Sequence, residues 1–326
     1  MIARRNALAI GAGLLLIGST CAVAQSGASR RPRIAILSWY SSADAERVRA
    51  LVDELAVLGW IDGQTITLEY HWADGDRARA AAIAADLVQR KVDLIVARAT
   101  PAILAAKNAT TTIPIIMAPS ADPIASGIVD NLSRPGANIT GMSTQSTELA
   151  AKRLEILREA MPRIARVAFL GVAQDPNALV FARETALAAA ALGLEMRASF
   201  VAGADRFETA FAELAAWGAQ AVIVQPLFIE HHAALSALAL RHRIALIGDQ
   251  REFATLGALF AFGANVAAYL RRIARYVDRI LRGTRPGELP IEQPTSFDFV
   301  LNAATARTLG IALPPGLLIR ADEVIE

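Results

Sequence analysis

Side chains suited to small-molecule recognition follow the apolar runs of this sequence, at the points where each run ends. Trp39, Tyr40 and Ser41 come directly after the first run, and Arg98 and Thr100 follow a later one. Aromatic rings can stack on a planar or apolar group, and a guanidinium can clamp a carboxylate through two hydrogen bonds. These residue types indicate non-covalent recognition of a small ligand.

The other candidates come from similar loops in both halves of the chain. Asp122 and Asp249 could meet an ammonium group, and aromatic Phe228 could cover an apolar one. Further polar residues in these loops are Asp175, Asn177 and Arg251. The predicted ligand-binding residues are Trp39, Tyr40, Ser41, Arg98, Thr100, Ser120, Asp122, Ser143, Gln225, Phe228, Asp249 and Asn265.

Each candidate also has a purely structural interpretation. One ring of the Trp39-Tyr40 pair could pack beneath its loop, and Arg98 could be solvated or form a salt bridge between lobes. Thr100 before a proline suits a helix N-cap. Asp122 before a proline is a common start of a turn.

The sequence lacks the signatures of common enzyme sites. It has no P-loop and no H-E-x-x-H motif, and the segment 141–145 lacks the second glycine of a nucleophile elbow. His231 and His232 are adjacent, which on a helix places them about 100° apart, and no third metal ligand is near in the sequence. We therefore expect no enzymatic activity, no metal and no cofactor.

The elements that position these candidates alternate between strand and helix, which predicts a parallel α/β architecture. Apolar runs predict strands at 33–38, 93–97 and 115–118, and the same order recurs at 166–171, 221–225 and 244–248. The offset from first to last strand is about 81 residues in the first unit and about 78 in the second. Two similar units, each with its own sheet, follow from this repetition.

The remaining segments predict how the two lobes are joined. We assign 31–141 plus 264–288 to lobe one and 142–263 plus 289–326 to lobe two. Three segments then cross between the lobes and could act as a hinge. Since ligands bind beyond the carboxyl ends of the strands in open α/β sheets, the candidate loops should face each other across a cleft.

The N-terminus has the pattern of a secretory signal peptide over 1–24. Arg4 and Arg5 precede an apolar stretch of about 11 residues, too short for a bilayer that needs about 20, and Ala22-Val23-Ala24 provides a cleavage site. A lipid anchor at Cys21 is an alternative, but Gly18-Ser19-Thr20 lacks the usual residues before such a cysteine. The Arg4-Arg5 pair leaves the Sec and twin-arginine routes open. We expect a periplasmic protein.

Cleavage would also change the charge and the cysteine content. The chain has 33 basic and 31 acidic residues, so loss of Arg4 and Arg5 leaves 31 of each. A nearly neutral protein is a poor partner for nucleic acids. The lost segment carries the only cysteine, so no disulfide is expected.

An ordered set of short motifs along the whole mature chain resembles a known family. The motifs are Arg33-Ile34-Ala35-Ile36-Leu37-Ser38, Thr100-Pro101-Ala102, Asp122-Pro123 with Ser126-Gly127, Arg134-Pro135-Gly136-Ala137-Asn138-Ile139-Thr140-Gly141, and Leu289-Pro290-Ile291-Glu292-Gln293-Pro294-Thr295. They resemble the ABC-transporter substrate-binding family, which includes tryptophan- and tyrosine-binding receptors. The sequence departs from that family at Arg98-Ala99 and at Phe262-Gly263-Ala264-Asn265.

The resemblance implies the type I periplasmic-binding fold, with two Rossmann-like lobes, parallel sheets and a three-segment hinge. It also implies a monomeric receptor without catalysis, whose partners are a small ligand in the cleft and an ABC importer permease in the inner membrane. An aromatic or branched amino acid is the first choice of ligand and a sugar the second. A periplasmic sensor for a membrane kinase and an exported enzyme are the competing functions.

Overall fold

Strands and helices alternate along residues 30–326, the part of the chain that the computed structural model describes. The predicted signal peptide lies outside these residues. The helices are α1 (Ala45–Val57), α2 (Arg77–Gln89), α3 (Thr100–Ala109), α4 (Ala150–Ala160), α5 (Asn177–Ala191), α6 (Phe207–Trp217), α7 (His232–Arg241), α8 (Arg251–Thr255), α9 (Val266–Leu281), α10 (Ala303–Leu309) and α11 (Pro315–Arg320). No helix in this part of the chain is long and apolar enough to cross a bilayer.

The first sheet, with the helices on its faces, forms lobe one. Its strands are β1 (Arg33–Ser38), β2 (Thr67–Trp72), β3 (Leu94–Arg98), β4 (Ile115–Ser120) and β5 (Ile139–Ser143). They lie in the order β2-β1-β3-β4-β5, and all neighbouring strands are parallel. The predicted parallel sheet of lobe one is therefore confirmed.

The second sheet belongs to lobe two. Its strands are β6 (Arg166–Val172), β7 (Glu195–Val201), β8 (Ala221–Val224), β9 (Ala245–Gly248), β10 (Phe260–Ala264), β11 (Phe297–Asn302) and β12 (Glu323–Ile325), in the order β12-β11-β10-β9-β8-β6-β7. This sheet is parallel except that β11 runs antiparallel to β10. The reversal arises because β10 leaves lobe two at the same edge where β11 re-enters it.

The apolar residues of β1 alternate between the two faces of the first sheet. Ile34 and Ile36 pack in a core with α1 and α9, whereas Ala35 and Leu37 pack with α2 and α3. Because strand side chains point to opposite faces in turn, a sheet covered on both sides needs such continuous apolar strands. Burying one large aliphatic side chain contributes about 1.5–3 kcal/mol to stability.

The chain crosses between the lobes three times. It crosses after β5, again at Asn265 between β10 and α9, and finally between Glu292 and β11. Glu292 still pairs with lobe one, since its N–H donates to Gly141 O at 3.0 Å and its carbonyl accepts from Ser143 N at 2.9 Å. The chain thus returns to lobe two a few residues later than the predicted position, 289.

Candidate ligand-binding cleft

A cavity of about 60 Å³ lies between the two lobes, where the strands of both sheets end. This volume is several times the ~10–15 Å³ that one buried water molecule needs. Five of the predicted residues line the cavity, namely Tyr40, Arg98, Thr100, Gln225 and Asp249. Arg47, Asp175 and Tyr269 also line it and were not among the predicted ligand-binding residues.

Arg98 forms a buried ion pair inside lobe one. Its Nε and Nη2 donate to the two carboxylate oxygens of Asp44 at 2.6 and 2.8 Å, and its Nη1 donates to Ala118 O at 3.3 Å. Burial alone would lower the pKa of Arg98, but the Asp44 carboxylate raises it above its usual value. Arg98 is therefore neither solvated nor part of a salt bridge between the lobes. The donors of its guanidinium are already bonded to Asp44 and to Ala118 O.

The turn before α3 differs from the predicted cap. The helix begins at Thr100 itself, so Ala99 occupies the N-cap position, with φ of 69° and ψ of 149°. An alanine in this region is strained, since such dihedrals are otherwise adopted almost only by glycine. The Thr100 hydroxyl lies 3.1 Å from that of Ser120 and accepts a hydrogen bond from Asn177 Nδ2 at 2.9 Å, which links the lobes.

The predicted aromatic residues separate into one that lines the cavity and two that do not. Tyr40 lines it, together with Tyr269 of α9. Trp39 is buried in the core of lobe one, and Phe228 packs edge-on against Phe207 with ring centroids 5.2 Å apart. Burial raises the pKa of Tyr269 to about 12 and that of Tyr40 further, so both phenols stay protonated at neutral pH.

The carboxylates behave differently from one another. Asp122 is bound within its own turn, where its Oδ1 accepts from the backbone N–H groups of Ile124 at 3.1 Å and Ala125 at 2.9 Å. It does not line the cavity, so the turn-forming interpretation of Asp122-Pro123 applies. Asp249 does line the cavity, and burial raises its pKa to about 6 against the opposing effect of Arg153.

Asp175 is a second buried carboxylate in the cavity. Gln225 Nε2 donates to its Oδ2, whereas its Oδ1 has no hydrogen-bond partner among residues 30–326. Burial raises the pKa of Asp175 to about 6, partly offset by the N–H of Asn177 and by Gln225. The cavity thus contains two carboxylates from lobe two that are costly to leave charged without a partner.

Ser41, Ser143 and Asn265 lie outside the cavity, in contacts between or near the lobes. Ser41 binds Glu230 of lobe two, and the Ser143 hydroxyl donates to Ala121 O at 3.4 Å. Asn265 caps α9 through Ala268 N at 2.8 Å, while its Nδ2 donates to Asp298. These polar groups have hydrogen-bond partners within the protein, and their contact with the ligand stays a prediction.

Arg47 is a lining residue that the sequence analysis did not single out at all. It lies in the first turn of α1, on the same face as Leu51 and Leu55, which are fully buried. The sequence did contain a signal for Arg47. Positions 47, 51 and 55 lie on one face of α1, and an arginine on a face that points to the interior indicates a buried charge. Tyr269 packs in the same core as Ile273 and Val277 of α9 and also lines the cavity.

The adjacent histidines are packed against aromatic rings. His231 lies edge-on to Phe207 and His232 edge-on to Phe253, with centroid distances of 5.4 and 6.2 Å. Within residues 30–326, no group of three or more His, Cys, Asp or Glu side chains is placed to hold a metal ion.

Solved structures with a similar fold cover most of this chain. A conserved domain protein from Vibrio cholerae superposes with a TM-score of 0.85 at 24% identity, covering 90% of this chain and all of that one. An ABC domain from Streptococcus pneumoniae in complex with L-Trp gives a TM-score of 0.84 at 22% identity, with the same coverage. The chain thus has the type I periplasmic-binding fold that the family resemblance implied.

Sequence comparison gives the family. A tyrosine-binding protein of Clostridioides difficile is 25% identical over 265 residues, covering 80% of this chain and 74% of that protein. Residues 34–325 match the profile described as ABC transporter substrate binding protein, which spans nearly all of the described chain. Proteins of this family bind ligands without catalysis, in agreement with the predicted absence of enzymatic activity. The chain therefore belongs to the ABC transporter substrate-binding protein family.

Proposed function

We propose that this protein captures an amino acid in the cleft between its lobes and delivers it to an ABC importer in the inner membrane. The observation that supports the ligand class most directly is the lining of the cleft. Arg47 from lobe one and Asp249 from lobe two bring opposite charges to one small cavity, beside the rings of Tyr40 and Tyr269. An amphipathic zwitterion matches this combination of charge and apolar surface.

The similarity to relatives supports the same ligand class. The C. difficile relative is named for tyrosine, and the S. pneumoniae structure contains L-Trp. Aromatic amino acids are therefore the first ligands to test, followed by branched ones.

A thermal-shift screen tests the ligand class. The purified protein is heated with each of the twenty amino acids and with a matched set of neutral monosaccharides. Since a ligand that binds only the folded state stabilises it by mass action, we expect a rise in Tm with one or a few amino acids. A rise with the sugars alone would contradict the proposal.

We further propose that the mature protein begins at Gln25 and acts as a monomer in the periplasm. The cleavage site and the location rest on the signal-peptide pattern over 1–24, and the monomeric state rests on the family resemblance. Intact-mass measurement of the exported protein should give a chain of residues 25–326. A mass that includes acylated Cys21 would show a lipid anchor instead.

A further inference from the structure

Arg47 and Asp249 enter the cavity from opposite lobes, each with a buried polar atom that lacks a hydrogen bond. Among the residues that the structure describes, no acceptor is bonded to Nε or Nη1 of Arg47, and no donor to Oδ1 of Asp249. Leaving a buried charged group unsatisfied is unfavourable. A ligand that supplied an acceptor to Arg47 and a donor to Asp249 would remove both penalties.

The neighbouring acids do not satisfy Arg47. Asp44 Oδ1 lies 3.9 Å from Nη1, but Asp44 already accepts hydrogen bonds from Arg98 and from the Ser38 hydroxyl. Glu252 Oε1 lies 3.8 Å from Nε, which is beyond hydrogen-bonding distance. These carboxylates attract the guanidinium electrostatically but form no hydrogen bond with its Nε or Nη1.

The other groups near the cavity that could bind an anion are already bonded. The Arg98 guanidinium donates two hydrogen bonds to Asp44, and the hydroxyls of Thr100 and Ser120 are hydrogen-bonded to each other. Arg153, whose charge acts to lower the pKa of Asp249, donates to Phe262 O at 2.9 Å and to Ser146 O at 3.0 Å. Two arginines of residues 30–326 line the cavity, Arg47 and Arg98. Of these, Arg47 has buried N–H donors without a hydrogen-bond acceptor.

We propose that Arg47 determines the specificity of the cleft for a ligand that carries a carboxylate, while Asp249 faces the ammonium group of the same ligand. The inference rests on the proposed function and deepens it, because it assigns the carboxylate of the ligand to one side chain of the cleft. A guanidinium matches a carboxylate in both charge and geometry.

The test compares amino acids with amines that lack only the carboxylate. Isothermal titration calorimetry measures L-tyrosine against tyramine and L-tryptophan against tryptamine, with the wild type, Arg47→Met and Arg47→Lys. Arg49→Met is the matched control, since Arg49 lies on the same helix with 67% of its side chain exposed. Circular dichroism melting curves verify that every variant is folded.

We expect the wild type and Arg49→Met to bind the amino acid about 30-fold or more tightly than its amine, as expected for a charged partner in a buried site. In Arg47→Met this preference should fall below about threefold, with the affinity for the amine unchanged, and Arg47→Lys should lie between the two.

Two outcomes would overturn the inference, and they differ in what they say of the proposed function. If Arg47→Met keeps the preference for the amino acid, the carboxylate is bound elsewhere and only the role of Arg47 is wrong. If the wild type binds neither these nor any other amino acid, both the role of Arg47 and the proposed ligand class are wrong.

Discussion

Ser41 of lobe one and Glu230 of lobe two are joined by hydrogen bonds that close one side of the cleft. The Ser41 N–H lies 3.0 and 3.1 Å from the two carboxylate oxygens of Glu230, and its hydroxyl donates to Oε1 at 2.6 Å. The same hydroxyl accepts from Ala43 N at 3.3 Å, which fixes its orientation. A carboxylate of one lobe thus binds the residue that caps the short 3-10 turn before α1 of the other, and the contact exists only while the lobes are close.

Glu230→Ala should therefore speed ligand release. The two groups belong to different lobes, so this contact must break before the lobes can separate. Its loss should raise the dissociation rate about tenfold and leave the association rate within about twofold. Stopped-flow fluorescence with the amino acid found in the screen measures both rates. Glu213→Ala, on the exposed face of α6, is the control and should match the wild type. An unchanged dissociation rate in Glu230→Ala would show that this contact does not hold the closed form.

Arg98→Met should destabilise the fold, because it leaves Asp44 charged and fully buried. Breaking a buried ion pair by removal of one partner costs about 3–5 kcal/mol. Urea unfolding measures the loss, with exposed Arg49→Met expected within about 0.5 kcal/mol of the wild type. The double variant Arg98→Met/Asp44→Leu should recover most of the stability, since an apolar pair needs no partner. A single variant as stable as the wild type would contradict the structural role of this pair.

Ala99→Gly should stabilise the protein by up to about 1 kcal/mol, because glycine adopts the positive φ of 69° without strain. Ala102→Gly, in the buried first part of α3, should do the reverse and destabilise by about 1 kcal/mol. Thermal melts of the two variants should thus shift in opposite directions. A lower Tm for Ala99→Gly would mean that position 99 is not strained in solution.

Asp249→Asn should change how stability depends on pH. Burial raises the pKa of Asp249 to about 6 in the folded state, so the stabilising protonated form is fully present below about pH 4 and is lost as the pH rises through 6. Above pH 6 the variant should be more stable than the wild type by roughly 2–3 kcal/mol, and near pH 4 the two should be equal. Denaturant unfolding at pH 4 and pH 7 measures the difference. An equal difference at both values would show that Asp249 does not titrate in this range.

The two aspartates that sequence reasoning placed together should differ in ligand binding. Asp249→Asn should weaken binding of the amino acid by at least tenfold, because its carboxylate faces the cavity. Asp122→Asn should bind as the wild type does, since an asparagine can accept the same N–H bonds within the turn. Calorimetry at pH 7 with both variants gives the comparison. Equal effects of the two changes would argue against the assignment of Asp249.

The fold was largely predictable because its strands are continuous apolar runs. β1 has the predicted bounds, and β3, β4, β6, β8 and β9 differ from the predicted ones by at most two residues at either end. β7 was not predicted, since it is an edge strand in which Glu195 and Arg197 are exposed and no apolar run marks it. The three-residue β12 is too short to leave a pattern.

The candidate site was less predictable, because residue type does not say which partner a side chain finds. Asp122 and Asp249 both follow strands, yet two backbone N–H groups hold the first within its turn. The partner of Arg98 is Asp44, 54 residues earlier, and nothing in the local sequence connects them. The ligand contacts of Tyr40, Thr100 and Gln225 stay predictions that the location of these residues in the cavity motivates.

The packing of α9 on lobe one has a consequence for how the protein is made. Leu270, Ile273 and Val277 of this helix cover the same face of the first sheet as α1, but lobe two is translated between β5 and α9. At bacterial synthesis rates that interval lasts on the order of ten seconds. Throughout it, the part of the first sheet that α9 covers lacks its partner, so the core of lobe one cannot be completed before residue 281 has been synthesised.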